Sequence, residues 1–216
     1  MRFTAPDYSE DEIESAASQL LSDYFSHNPD DDKLPTPIEM IAEYYLGYEL
    51  AYTDEGLFAD ASVLGGICFD TQMIFINTAV ESHEGRHAFT IAHEIGHHVL
   101  HKPYYKSTNN LLCRNKDKPI YELQADRFAA ALLLPKSFID KHWFDTKPDD
   151  IYHLYRMVKT FLETHQLHNV SLSTCINRLI ELGHIKDVSF QNGKPKRSRK
   201  HFIMWLIQRN IIKYFK

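Results

Sequence analysis

A chain of 216 residues with ordinary globular composition can bury a full core, as one domain or one domain with an appendage. Its net charge of -5 gives no overall case for nucleic acid, and no apolar run approaches the ~18 residues of a membrane span. The three cysteines, Cys68, Cys113 and Cys175, are scattered and form no C-x-x-C, which argues against a disulfide framework or a cysteine zinc site and fits a reducing, cytoplasmic setting.

The N-terminus is acidic and has no apolar h-region, so it does not read as a signal peptide. Charge is uneven along the chain. Residues 1–33 hold nine acids against Arg2 and Lys33, and residues 186–216 hold nine bases against Asp187. Such ends are expected to be solvated and to attract each other.

Ser9 followed by Glu12 is a capping box that opens a helix to about Phe25, with Ile13, Ala16, Ala17, Leu20, Leu21 and Tyr24 as its apolar face. Thr36-Pro37 forms an N-cap and first-turn pair for a second helix ending near Gly47. Three strand-like stretches follow, Tyr48–Tyr52, Ser62–Asp70 and Met73–Asn77. The last two are joined at Asp70-Thr71-Gln72 as a hairpin. Gly65-Gly66 in the middle strand marks either a bulge or turn, or a close backbone approach on an edge strand that pairs with an extended substrate peptide.

Arg86 to His101 is the stretch the chain is built around. It contains His93-Glu94-Ile95-Gly96-His97, an H-E-x-x-H pattern. On a helix the two histidines lie on one face with Cβ atoms ~6 Å apart, close enough to close on one ion. Glu94 is offset from that face and suited to touching water beside the ion, as the general base of a zinc hydrolase. Phe89, Ala92, Gly96 and Val99 form an apolar back, and Pro103 stops the helix. Gly96 costs ~1 kcal/mol in a helix interior, for which a close backbone neighbour beside the metal would be a reason.

Residues 102–118 read as loop, and a second strong helix runs between Pro119 and Pro135. Further helices cover Lys136–Trp143, Asp149–His165 and Leu172–Leu182, the last capped by Ser171 and stopped at Gly183. Residues 185–216 form a separate unit: a basic linker, then an apolar-basic stretch from Phe202 to Phe215. That stretch either docks on the body or meets a partner or membrane surface. The peptidase-like unit is residues 1–184.

A catalytic zinc takes three protein ligands. The metzincin pattern fails, because Leu100 and Pro103 stand where it needs Gly and His. His101 shares the face of His97, but a row of His93, His97 and His101 spans ~12 Å of helix rise, too far for one ion to hold both ends. His101 and His98 are therefore read as surface groups or as groups behind the ligands. Glu122, on the next strong helix, is the better third ligand. Asp126 lies one turn on and can hold the free ring nitrogen of a ligating histidine. Tyr104, Tyr105, Tyr121 and the later histidines are the candidates for steadying an oxyanion.

The H-E-x-x-H motif preceded by Phe89-Thr90, together with Glu122-x-x-Ala125-Asp126-x-Phe128-Ala129-Ala130-x-Leu132-Leu133-x-Pro135, resembles the ImmA/IrrE family of metallopeptidases, which belong with the gluzincin type. The similarity is strong over about 62–135. It is looser over the preceding helices and over Val170-Ser171, Arg178-Leu179 and Leu182-Gly183. The resemblance implies a zinc site of His93, His97 and Glu122 with Glu94 as base. It also implies an α+β, zincin-like fold: a small twisted, mostly antiparallel sheet packed on helices, with a helical C-terminal part. Zn²⁺ is the expected ion and Mn²⁺ the alternative. The family is associated with site-specific cleavage of helix-turn-helix repressors, so the expected partner is such a repressor or an antitoxin-like protein, with no direct nucleic-acid contact. The chain departs from the family in its basic-apolar tail and in the absence of a DNA-binding domain fused ahead of the motif. Two readings from other classes stand beside this one. One is a metal-dependent hydrolase of non-protein substrates; the other is a non-catalytic regulator with 170–183 as a helix-turn-helix-like element.

Overall fold

The computed structural model describes residues 6–29, 34–53, 63–104, 112–113, 120–144, 148 and 151–185. The 185–216 unit, apart from Ile185, and Tyr105 lie outside the described residues. The architecture is α+β, with a four-stranded mixed sheet packed on helices and a helical C-terminal part.

Helix α1 (Glu10–His27) begins with the capping box in place. The Ser9 hydroxyl accepts from Glu12 N–H, and the Glu12 carboxylate accepts from Ser9 N–H at 2.8 Å. Ile13, Ala17, Leu20, Leu21 and Tyr24 are buried, the stripe expected from their spacing. Helix α2 (Ile38–Met40) departs from expectation. Its N-cap is Pro37, and Thr36 makes no cap. The Thr36 hydroxyl instead donates to Leu132 C=O at 3.0 Å, tying this turn to the end of a later helix. The helix then widens into a π-helical turn over Ile41–Tyr45 and ends at Gly47, whose φ is +72°.

The sheet has the order β1-β3-β2-β4, from β1 (Glu49–Thr53), β2 (Gly65–Cys68), β3 (Met73–Asn77) and β4 (Leu112–Cys113). β2 and β3 form the predicted hairpin in antiparallel register, Cys68 opposite Met73, turning through Gln72 at φ 51°. β1 runs parallel to β3. β4 lies in a stretch read from sequence as loop, because two residues carry no alternation to recognise. At Gly66 and Ile67 the hairpin strand β2 is interior, with β4 on its outer side.

Helix α3 (Glu84–His101) lies under β2 and β3, and α4 (Ile120–Leu133) packs along α3. The deep face of α3 is Ala88, Ile91, Ala92 and Ile95. Phe89 and Val99, read as its back, are only partly buried, because the middle of the helix is covered on nearly every side. Helices α5 (Lys136–His142), α6 (Ile151–Thr164) and α7 (Leu172–Glu181) close the far side. Ser171 caps α7 by accepting from Thr174 N–H, and Gly183 turns the chain at φ +78°. Among the described residues no helix is long and apolar enough to cross a membrane, and Cys68 and Cys175 are free thiols.

Candidate metal centre

Two glycines decide how closely the elements of the centre approach. At Gly96 an added Cβ would lie 3.1 Å from Ala125 Cα and 3.2 Å from Ala125 C=O, so α3 and α4 touch backbone to backbone. This is the close neighbour that the cost of a mid-helix glycine called for. At Gly65 an added Cβ would lie 2.5 Å from Thr90 Cγ2 and 2.9 Å from Glu94 Oε1. The strand glycine thus makes room for side chains of α3, with no bulge and no open edge needed to explain it.

With the helices this close, His93 and His97 from α3 meet Glu122 from α4. One ligand atom from each of the three lies within 4.8 Å of the others, and all three residues are buried. His93 Nε2 and His97 Nε2 are 3.1 Å apart. Glu122 oxygens stand 3.4 Å from the first and 3.6 Å from the second. Donors bound tetrahedrally at ~2.0–2.2 Å sit about 3.3–3.5 Å from one another, so these separations suit one small ion. They are too long for charge-assisted hydrogen bonds of ~2.7–2.9 Å. Neither Glu122 oxygen has a hydrogen-bond partner among the described residues, although the side chain is only 1% exposed. A carboxylate buried that way is costly without a cation. The donor set therefore fits a divalent metal.

The outer nitrogens of the two histidines are held differently. His93 Nδ1 donates to Asp126 Oδ1 at 2.9 Å. His97 Nδ1 lies 3.0 Å from His101 Nδ1, and His101 Nε2 lies 3.0 Å from Gln124 Oε1. His101 is wholly buried, so it is not a surface group, and it stands behind His97. The i,i+4 spacing that made it a rival ligand is the spacing that lets it back one. His98 is part-buried and hydrogen-bonded to the Tyr48 hydroxyl at 2.7 Å.

Charge follows this arrangement. Burial alone would lower His93, but the Asp126 and Glu122 carboxylates outweigh it and raise its pKa to about 9. Burial holds His97 down at about 4. Burial works to raise Glu122, yet the two imidazoles bring it down to about 2. Burial also lowers His101, outweighing its bond to Gln124.

Glu94 is 2% exposed, and its charge adds to the upward pull on His93. Tyr121 sits beside the centre, its ring centroid 6.0 Å from that of His97. The Tyr104 hydroxyl is 3.5 Å from the Tyr8 hydroxyl. Gln124 and the N-terminal Pro6–Tyr8 stretch were not singled out from sequence. Nothing local marks Gln124, whose contacts bridge more than a hundred residues.

Residues 40–179 match the family model described as the IrrE N-terminal-like domain of a peptidase family. The match runs from α2 into α7 and includes His93, Glu94, His97, His101, Glu122, Gln124 and Asp126. No curated protein matches the chain.

Proposed function

The chain belongs to the ImmA/IrrE family of metallopeptidases, and from that premise we propose that it is a zinc-dependent endopeptidase with Glu94 as general base. The observation that carries this reading is the buried Glu122 carboxylate facing two imidazole Nε2 atoms across tetrahedral spacings, with no hydrogen bond of its own among the described residues. His93, His97 and Glu122 are the ligands in this reading, and Asp126 orients His93.

Bound zinc supplies Lewis-acid chemistry, acidifying water and polarising a carbonyl. Glu94 takes the proton of the attacking water and returns it to the leaving amine. Its burial favours that role, since a carboxylate screened from bulk water keeps the proton it has taken until the amine departs. The substrate class is protein. A helix-turn-helix repressor or antitoxin-like protein is the substrate we propose, supported by the family's association with such targets. The segment from 185 onward is proposed as a separate unit for contact with a partner.

The test is co-incubation of the full chain with candidate helix-turn-helix repressors, any encoded beside it first, with and without chelator. Wild type is expected to cut, and chelator to stop it. Glu94→Gln is expected to keep its zinc and lose about 10²–10⁴-fold in hydrolysis, the usual worth of a general base. A Glu94→Gln protein that cuts at the wild-type rate removes Glu94 from the mechanism.

A further inference from the structure

We infer that the carbonyl of Pro6, acting through Gln124 and His101, fixes the tautomer of His97 and makes the N-terminal segment a positioning element of the metal centre. The inference rests on the metal reading above and adds to it a part of the chain that lies ahead of the family match.

The argument is one of hydrogen-bond polarity. A proline carbonyl only accepts. Gln124 Nε2 therefore donates to Pro6 C=O, at 2.8 Å. The amide cannot be turned over, because its oxygen would then face the Pro6 oxygen at that distance, two acceptors with no proton between them. Gln124 Oε1 is thus committed to the other side, where it accepts from His101 Nε2–H at 3.0 Å. A neutral His101 carrying its proton on Nε2 has a lone pair on Nδ1. His97 Nδ1, 3.0 Å away, must be the donor. That leaves the lone pair of His97 on Nε2, the atom that faces His93 and Glu122. The three side chains are sequestered: His101 is fully buried, His97 is 1% exposed and Gln124 2%, and the link to Pro6 is part-buried.

A second contact pins the same segment. The Tyr8 hydroxyl donates to Leu100 C=O at 3.1 Å, in the last turn of α3. Ser9 then starts α1. The segment is thus tied to α4 through Pro6 and to α3 through Tyr8, the two helices that carry the ligands. His93 needs no such device, since the Asp126 carboxylate sets its tautomer in one step.

Imidazole ¹⁵N NMR of the metal-free full chain tests the polarity directly. His97 is expected to be protonated on Nδ1 and His101 on Nε2; a His97 that is the Nε2–H tautomer overturns the inference. Chelator competition then reads zinc affinity. Gln124→Leu removes the acceptor of His101 and is expected to weaken zinc about 10- to 100-fold. Gln124→Glu keeps an acceptor for His101 but, once ionised, turns an acceptor on Pro6 C=O, so it is expected to weaken zinc by about three- to tenfold, less than Gln124→Leu. Near-UV circular dichroism checks that both variants fold. Equal loss in both, or in neither, overturns the positioning role. Wild type that binds no zinc sinks the metal reading, and the tautomers are still decided by the spectrum of the metal-free chain.

Discussion

One region of the protein half-buries a carboxylate and another buries one fully, and they treat them differently. Glu14 on α1 faces Arg178 on α7. The guanidinium bonds one Glu14 oxygen and donates through Nε to Leu134 C=O at 3.1 Å. The other Glu14 oxygen accepts from Lys136 N–H, at the start of α5, at 3.2 Å. Both Glu14 oxygens have protein donors, and three helices and the end of a fourth are fastened together as a result. Glu122 sits deeper and has no hydrogen bond to either oxygen among the described residues. A buried charge closed by its neighbours holds the fold together. The Glu122 charge is faced by the two imidazoles at distances too long for good hydrogen bonds, and that opening fits a divalent metal in place of the His93 proton.

The largest effects come from breaking each region in the metal-free protein. Arg178→Met leaves Leu134 C=O and part of Glu14 without donors and is expected to cost about 3 kcal/mol, a fall of roughly 6–12 °C in Tm. Glu122→Gln is expected to shift stability by less than about 1 kcal/mol, because the neutral amide removes a buried charge that has no hydrogen bond among the described residues, while Asp126 still holds the His93 ring. The same variant is expected to lose its zinc. Thermal melts in chelator, paired with metal analysis, check both arms. Equal destabilisation by the two substitutions would erase the distinction between structural and functional burial.

A smaller effect sharpens the comparison by moving the helices without touching a charge. Gly96→Ala gains ~1 kcal/mol of helix propensity. Its methyl group, however, meets Ala125 Cα at 3.1 Å, and overpacking of that kind costs about 1–3 kcal/mol. The net loss is expected to be at most about 2 kcal/mol. Zinc affinity is expected to fall roughly tenfold, because α4 carries Glu122 away from the histidines on α3. The readouts are a thermal melt and chelator competition. Unchanged affinity with lowered stability would mean that the helix contact supports the fold and leaves the ligand set unmoved.

Much of this was legible in the sequence because it is local. The capping box at Ser9, the H-E-x-x-H spacing, the helix between Pro119 and Pro135 and the turn at Gly183 each follow from residues a few positions apart. The cost of Gly96 even announced a close neighbour, though not that the neighbour was Ala125. What stayed hidden depends on distant partners. Thr36 has the look of an N-cap, and only the fold shows its hydroxyl spent on Leu132. Gly65 looked like an edge because β4 is two residues long and sends no signal. His101 could be seen to share the face of His97, but its burial against Gln124, and the reach of Gln124 to Pro6, belong to the packing of three separate segments.

The smallest effect is a count of protons, and it separates the two regions by pH. In the metal-free chain at pH 7, the carboxylates of Asp126 and Glu122 hold His93 protonated, with a pKa of about 9. His97, at about 4, is neutral, and Glu122, at about 2, is ionised. Ligation requires the lone pair of His93 Nε2, so binding zinc must expel that proton. Apparent zinc affinity is therefore expected to rise about tenfold per pH unit between roughly pH 5 and 9, and the contribution of His93 to vanish above about 9. The Arg178–Glu14 pair has no counterpart to this, since its charges meet each other and no incoming cation displaces a proton there. Calorimetry in two buffers of different ionisation enthalpy measures the count directly, with release of at least about one proton expected at pH 7. No release would show that His93 is already neutral before the metal arrives, and that Asp126 orients the ring without charging it.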